Sequence, residues 1–105
     1  MIGELTSALI DACCPEEVSQ EIREILENRA SHGLPGIGSG KNRSHLIDRI
    51  QLATLKGSRW KVSRIRESIE LANTDWRDLL VQKEFGEHVD AHILWLNSAL
   101  ESGEV

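Results

Sequence analysis

Apolar side chains return every third or fourth position along almost the whole of this chain, and the alternation that a half-buried strand requires is absent. A helix shows the same face about every 3.6 residues, so each such segment can bury its stripe only against another helix. With 105 residues there is enough chain for one core without metal or disulfide staples. The pattern predicts an all-α fold: a compact bundle of about six short helices forming one domain over residues 1–105, with one glycine-rich connecting loop.

The first helix carries Ile2, Leu5, Leu9 and Ala12 on one face. Pro15 ends it and opens the second, since proline suits a first helical turn where no amide hydrogen is needed. Glu16 and Glu17 follow in that turn, where carboxylates complement the helix dipole. Val18, Ile22, Ile25, Leu26 and Arg29 continue the pattern to about Ser31, and Gly33 is positioned as a left-handed stop. Beyond the loop, Asn42 or Ser44 can cap a third helix with Leu46, Ile47, Ile50, Ala53 and Thr54 on its face. Leu52 and Leu55 lie off that face, so this helix is apolar most of the way round and is expected at the centre. A break at Gly57–Ser58 leads to a fourth helix with Val62, Ile65, Ile69 and Ala72. Asn73, Thr74 and Asp75 are cap residues for a short fifth helix bearing Trp76, Leu79, Leu80 and Phe85, which Gly86 closes. The last helix spans about His88 to Leu100.

Residues 32–42, HGLPGIGSGKN, hold four of the eight glycines and form the long irregular segment. A nucleotide P-loop is excluded, because Pro35 occupies its first glycine position, Asn42 its hydroxyl position, and no strand precedes it. Within this segment Leu34, Pro35, Gly36, Ile37 and Gly38 resemble the hairpin of helix-hairpin-helix DNA-binding proteins. That resemblance covers five residues and implies backbone amides that hold a phosphate without reading sequence. The family pattern continues with a small apolar residue and then an aliphatic one, where this chain has Asn42 and His45. An anion or nucleic-acid-backbone site built on the loop would use Gly36, Gly38, Lys41 and Arg43, with Trp60 and Arg64 nearby.

Charge is segregated as well. Residues 41–66 hold eight cations against the single acid Asp48, a local net of +7, whereas residues 1–40 sum to −5 and residues 67–105 to −7. Affinity for a polyanion scales with the cations facing one way, and on helical wheels these are dispersed around two helices. The reading is therefore internal pairing between the basic segment and the acidic helices, with nucleic acid as the alternative partner. Arg64, one turn after Trp60, is placed to lie over its ring.

The last helix has two apolar faces. Val89, Ile93, Leu96 and Leu100 make the stripe expected to face the core; His88, Ala91, Trp95 and Ala99 lie opposite, with His92 at the edge. A surface helix needs only one such face, and tryptophan is a frequent interface anchor. These five residues are accordingly the expected contact with a partner: the chain itself, as a homodimer, or another protein. His88 and His92 stand at helical spacing for a shared metal, but two ligands with Glu84 as the nearest third do not make a site. No nucleophile–base pairing stands out, so the chain is read as non-enzymatic, with no catalytic residue, cofactor or metal. Adjacent Cys13 and Cys14 are expected as reduced thiols, which with the absence of a long apolar run or a basic leader predicts a cytoplasmic protein and no membrane partner.

Overall fold

The computed structural model describes residues 1–40 and 42–105. Five helices follow one another: α1 (Glu4–Cys13), α2 (Glu16–Arg29), α3 (Arg43–Leu55), α4 (Val62–Gln82) and α5 (Ala91–Ser102). No strand occurs among the described residues, and no helix is long and apolar enough to cross a membrane. The expected sixth element is folded into α4. Asp75 there is extended (φ −159°, ψ 96°), and its Oδ1 accepts a hydrogen bond from the Arg77 amide at 3.1 Å. The chain thus starts a new helix at Trp76 after a kink in α4.

Helix α3 is the centre, as its nearly all-round apolar surface requires. It packs against α1, α4 and α5, and Ile47, Ile50, Leu52, Ala53 and Leu55 are wholly enclosed. Two of its polar residues are buried with them because they terminate other helices. The Asp48 carboxylate accepts the amides of Leu5 and Thr6, both at 2.9 Å, and the Thr6 hydroxyl at 2.6 Å. These are orphan donors of the first turn of α1, whose own cap position is Gly3 and has no side chain to offer. A Cβ on Gly3 would run into that carboxylate. Gln51 does the complementary work: its Oε1 accepts the Gly3 amide at 2.9 Å, and its Nε2 donates to Met1 O at 2.8 Å and to Ala30 O, past the end of α2, at 2.9 Å.

Two chain reversals and the orientation of one helix differ from the sequence expectation. Helix α2 ends at Arg29, and Gly33 is not left-handed; the left-handed glycines of the loop are Gly36, Gly38 and Gly40. The loop is tied down by Leu34, which is buried, and by the Trp76 indole donating to Pro35 O at 2.9 Å. Helix α4 is closed not by Gly86 but by Glu84, at φ 65°. The amides of Glu84 and Phe85 reach back to Val81 O (3.0 Å) and Leu80 O (2.8 Å), the paired bonds of a Schellman cap. Phe85 is thereby swung into the core. Finally, α5 is turned over. Leu96 and Ala99 are buried and Trp95 packs its ring on Phe85 at 5.8 Å, while Val89, Ile93 and Leu100, expected inside, are exposed. The small Ala99 lets α1 come close, so that the Cys13 thiol lies 3.9 Å from Ala99 O.

Candidate functional site

Two surfaces stand out on the folded chain. The first is its outer ridge. Among the described residues the exposed large apolar side chains are Val81, Val89, Ile93, Leu94 and Leu100, four of them within twelve positions. Val89 and Leu94 are 74% and 67% exposed. Of the residues expected at a partner contact, Trp95 and Ala91 are half-buried against the core, Ala99 is enclosed, and His92 is half-buried beside Phe85, ring centroids 6.2 Å apart. His88 is exposed but lies ahead of α5, so it and His92 do not share a helical face.

The second is a cleft of about 570 Å³ between the end of the glycine loop, the first two turns of α3 and the start of α5. Arg43, His45, Arg49 and His92 line it, and among the described residues no carboxylate does. Each arginine is held by one terminal nitrogen: Arg43 Nη2 donates to His32 O at 3.4 Å, and Arg49 Nη2 donates to Phe85 O. The enclosed Nε atoms of both, and the enclosed Nδ1 of His92, find no partner among the described residues. Burial holds the His92 imidazole below its ordinary pKa, and the positive charge of Arg49 pushes the same way; Asp48 and Asp90 oppose both.

Of the residues expected around the glycine loop, Arg43, Arg64 and Trp60 line three separate depressions. Gly36 and Gly38 are exposed and open on the side where a Cβ would stand. Arg43 belongs to the cleft, whereas Lys41 lies outside the described residues. Trp60 is buried in the turn between α3 and α4, where it and Arg59 both take left-handed backbone angles. Arg64 lines a separate groove with Ser58 and Glu67. Among the described residues the cations over aromatic rings are Arg77 on Trp76 (4.9 Å) and Lys56 on Phe85 (5.1 Å), not Arg64 on Trp60.

The expected internal pairing of the basic segment is also largely replaced. Among its described cations only Arg66 meets an acidic side chain, Glu21 at 3.5 Å. Arg43, Arg49 and Lys56 instead donate to backbone carbonyls. Lys56 and Lys83 do so reciprocally, each ammonium on the other's carbonyl, just past the ends of α3 and α4 where cations suit the helix dipole. Burial and the neighbouring Lys56 hold the Lys83 pKa below that of a free lysine. The acceptors are main-chain carbonyls placed by the fold, which is why a charge count could not anticipate the pairing. Neither the arginine pair nor its two histidines was singled out as a cluster from sequence; Arg49 lies two turns from Arg43, and His92 forty-three positions further on.

Compared with protein-family models, with curated proteins and with solved structures, this chain matches nothing.

Proposed function

We propose that this chain is a non-catalytic interaction module that associates through the outer ridge of α5, with a second copy of itself as the partner. The observation carrying this reading is the set of exposed side chains Val89, Ile93, Leu94 and Leu100 on a chain whose other large apolar side chains, Val81 apart, are buried or half-buried among the described residues. Apolar side chains left together at the surface lose about 25 cal/mol for each Å² that stays wet. A two-fold contact uses the same ridge twice and so covers both copies at once. A helix of twelve residues is only about 18 Å long. The contact therefore extends onto Val81, which lies against Gly86 on the approach to α5, to reach the roughly 800 Å² per partner of a stable interface. Trp95 and Ala99 act from beneath, fixing how far the ridge projects, and His88 stands at its rim.

The two free thiols, Cys13 and Cys14, suit a reducing compartment, and a cytoplasmic setting belongs to the same proposal. Burial raises the Cys14 pKa, with Glu17 adding to that and Arg23 opposing it, which keeps the thiol protonated and poorly reactive.

Sedimentation equilibrium tests the reading. The wild type is expected at twice the chain mass of 11.8 kDa, and Leu94→Asp, at an exposed position, at the single mass with an unchanged helical spectrum. A wild type that stays monomeric at about 100 μM, a concentration that populates even weak specific dimers, refutes it.

A further inference from the structure

We propose that the cleft between the glycine loop, α3 and α5 is a binding site for a phosphate-class oxyanion, free or as the headgroup of a small monoester. Four groups that carry or can acquire positive charge, Arg43, His45, Arg49 and His92, come from two helices far apart in sequence and line one cleft without a carboxylate among them. Their convergence is not accounted for by packing. A fold that only needed to fill this space would use apolar residues, since a buried donor without an acceptor is destabilising. Here three enclosed nitrogens, Arg43 Nε, Arg49 Nε and His92 Nδ1, are left without a partner among the described residues.

The guanidinium groups are also preorganised. Each is anchored through Nη2 to a backbone carbonyl, at His32 and at Phe85, which fixes the plane of the fork and leaves other donors for an incoming ligand. A planar fork with adjacent N–H donors matches two oxygens of a phosphate, which is why arginine is favoured where such oxyanions are held. The cleft runs along the first turns of α3, a helix of thirteen residues whose cap residue Asn42 makes no side-chain cap bond, so the positive end of the helix adds to the field.

The remaining walls are Ile37, Leu46 and Val89, apolar groups that can cover a small body attached to the oxyanion. The two imidazoles, His92 and His45, face the same cleft. Burial lowers the His92 pKa and Arg49 and His45 add to that, whereas Asp48 and Asp90 favour its charged form. A bound dianion adds to the second set. The site is distinct from the ridge, touching it only at Val89, so failure of the dimer leaves this proposal standing.

The test is titration of the full chain with phenyl phosphate, inorganic phosphate and phenol at constant ionic strength, followed by NMR of the His92 and Val89 resonances and by calorimetry. The expected result is a saturable one-to-one complex with either phosphate, at least about tenfold tighter than phenol. Phenyl phosphate above inorganic phosphate identifies a monoester site, and equal affinities identify free phosphate as the ligand. Arg43→Gln is expected to weaken binding about fivefold or more, as loss of one charge-assisted contact does, whereas Arg59→Gln, exposed and outside the cleft, leaves it unchanged. His92→Gln, which keeps a hydrogen-bonding side chain in place, is expected to reduce, not remove, any gain in affinity on lowering the pH, since His45 also lines the cleft. Three results overturn the proposal: no saturable shift with either phosphate, equal loss in Arg43→Gln and Arg59→Gln, or salt-sensitive binding of a single-stranded oligonucleotide that phenyl phosphate does not displace.

Discussion

Replacing Asp48 by asparagine removes one oxygen acceptor and puts an amide donor in its place, with almost no change in shape. In the wild type, Oδ2 accepts from Leu5 N at 2.9 Å, and Oδ1 accepts from Thr6 N at 2.9 Å and from Thr6 Oγ1 at 2.6 Å. Asparagine can keep the Thr6 pair, but its NH₂ then faces the Leu5 amide, donor against donor. Loss of a charge-assisted bond costs about 1.5–3 kcal/mol, and loss of a helix cap about 1 kcal/mol. The two descriptions overlap at Leu5, so they do not add in full. Asp48 is only 6% exposed, so water cannot replace what is lost. The expected destabilisation is about 2–3 kcal/mol, which for a domain of this size lowers Tm by about 10–20 °C. Urea unfolding followed by circular dichroism measures it, with an unchanged slope confirming that the unfolding unit is the same. A loss below about 0.5 kcal/mol, the range of an ordinary surface substitution, would refute the assignment of Asp48 as the cap of α1.

Glu84→Gly removes a Cβ from a left-handed residue at φ 65°, and is expected to stabilise by about 0.5–1 kcal/mol, the left-handed penalty less the greater entropy of glycine in the unfolded chain. A lower urea midpoint in the variant would show that the Glu84 side chain contributes more than its backbone costs. Because the folded pKa of His92 is lowered, the unfolded chain binds the extra proton. The His92 contribution is present in full above the unfolded pKa, about 6.5, and is lost as pH falls through the folded value. Stability is therefore expected to decline from pH 7.5 to pH 5 more steeply in the wild type than in His92→Gln, and parallel profiles would contradict this.

The architecture was legible wherever one helix face was unambiguous. Leu52 and Leu55, off the main stripe of α3, marked it as central, and Asp75 with its neighbouring cap residues marked the break inside α4. Helix α5 was not legible in the same way. Val89, Ile93, Leu96 and Leu100 make as good a stripe as Ala91, Trp95 and Ala99, and periodicity states that faces exist, not which one docks. The choice falls to groups elsewhere: Phe85, presented by the Glu84 turn, receives Trp95, and small Ala99 admits α1. The turn itself was hidden because glutamate carries no left-handed signal and Gly86, two residues on, does. One clue to the buried cap was available: Asp48 is the only acid among the eight cations of residues 41–66, and it lies between Ile47 and Ile50 on a helix destined for the interior.

The cap that begins α1 and the amide that closes α2 both reside on α3, more than twenty positions further along the chain. A growing chain that has made residues 1–30 but not α3 therefore owns two amphipathic segments without a start for one or a finish for the other. Short helices with such ends are marginal by themselves. Ordering at the amino end thus waits on the middle, and any lesion that delays α3 leaves the earlier third open to proteases and to wrong neighbours.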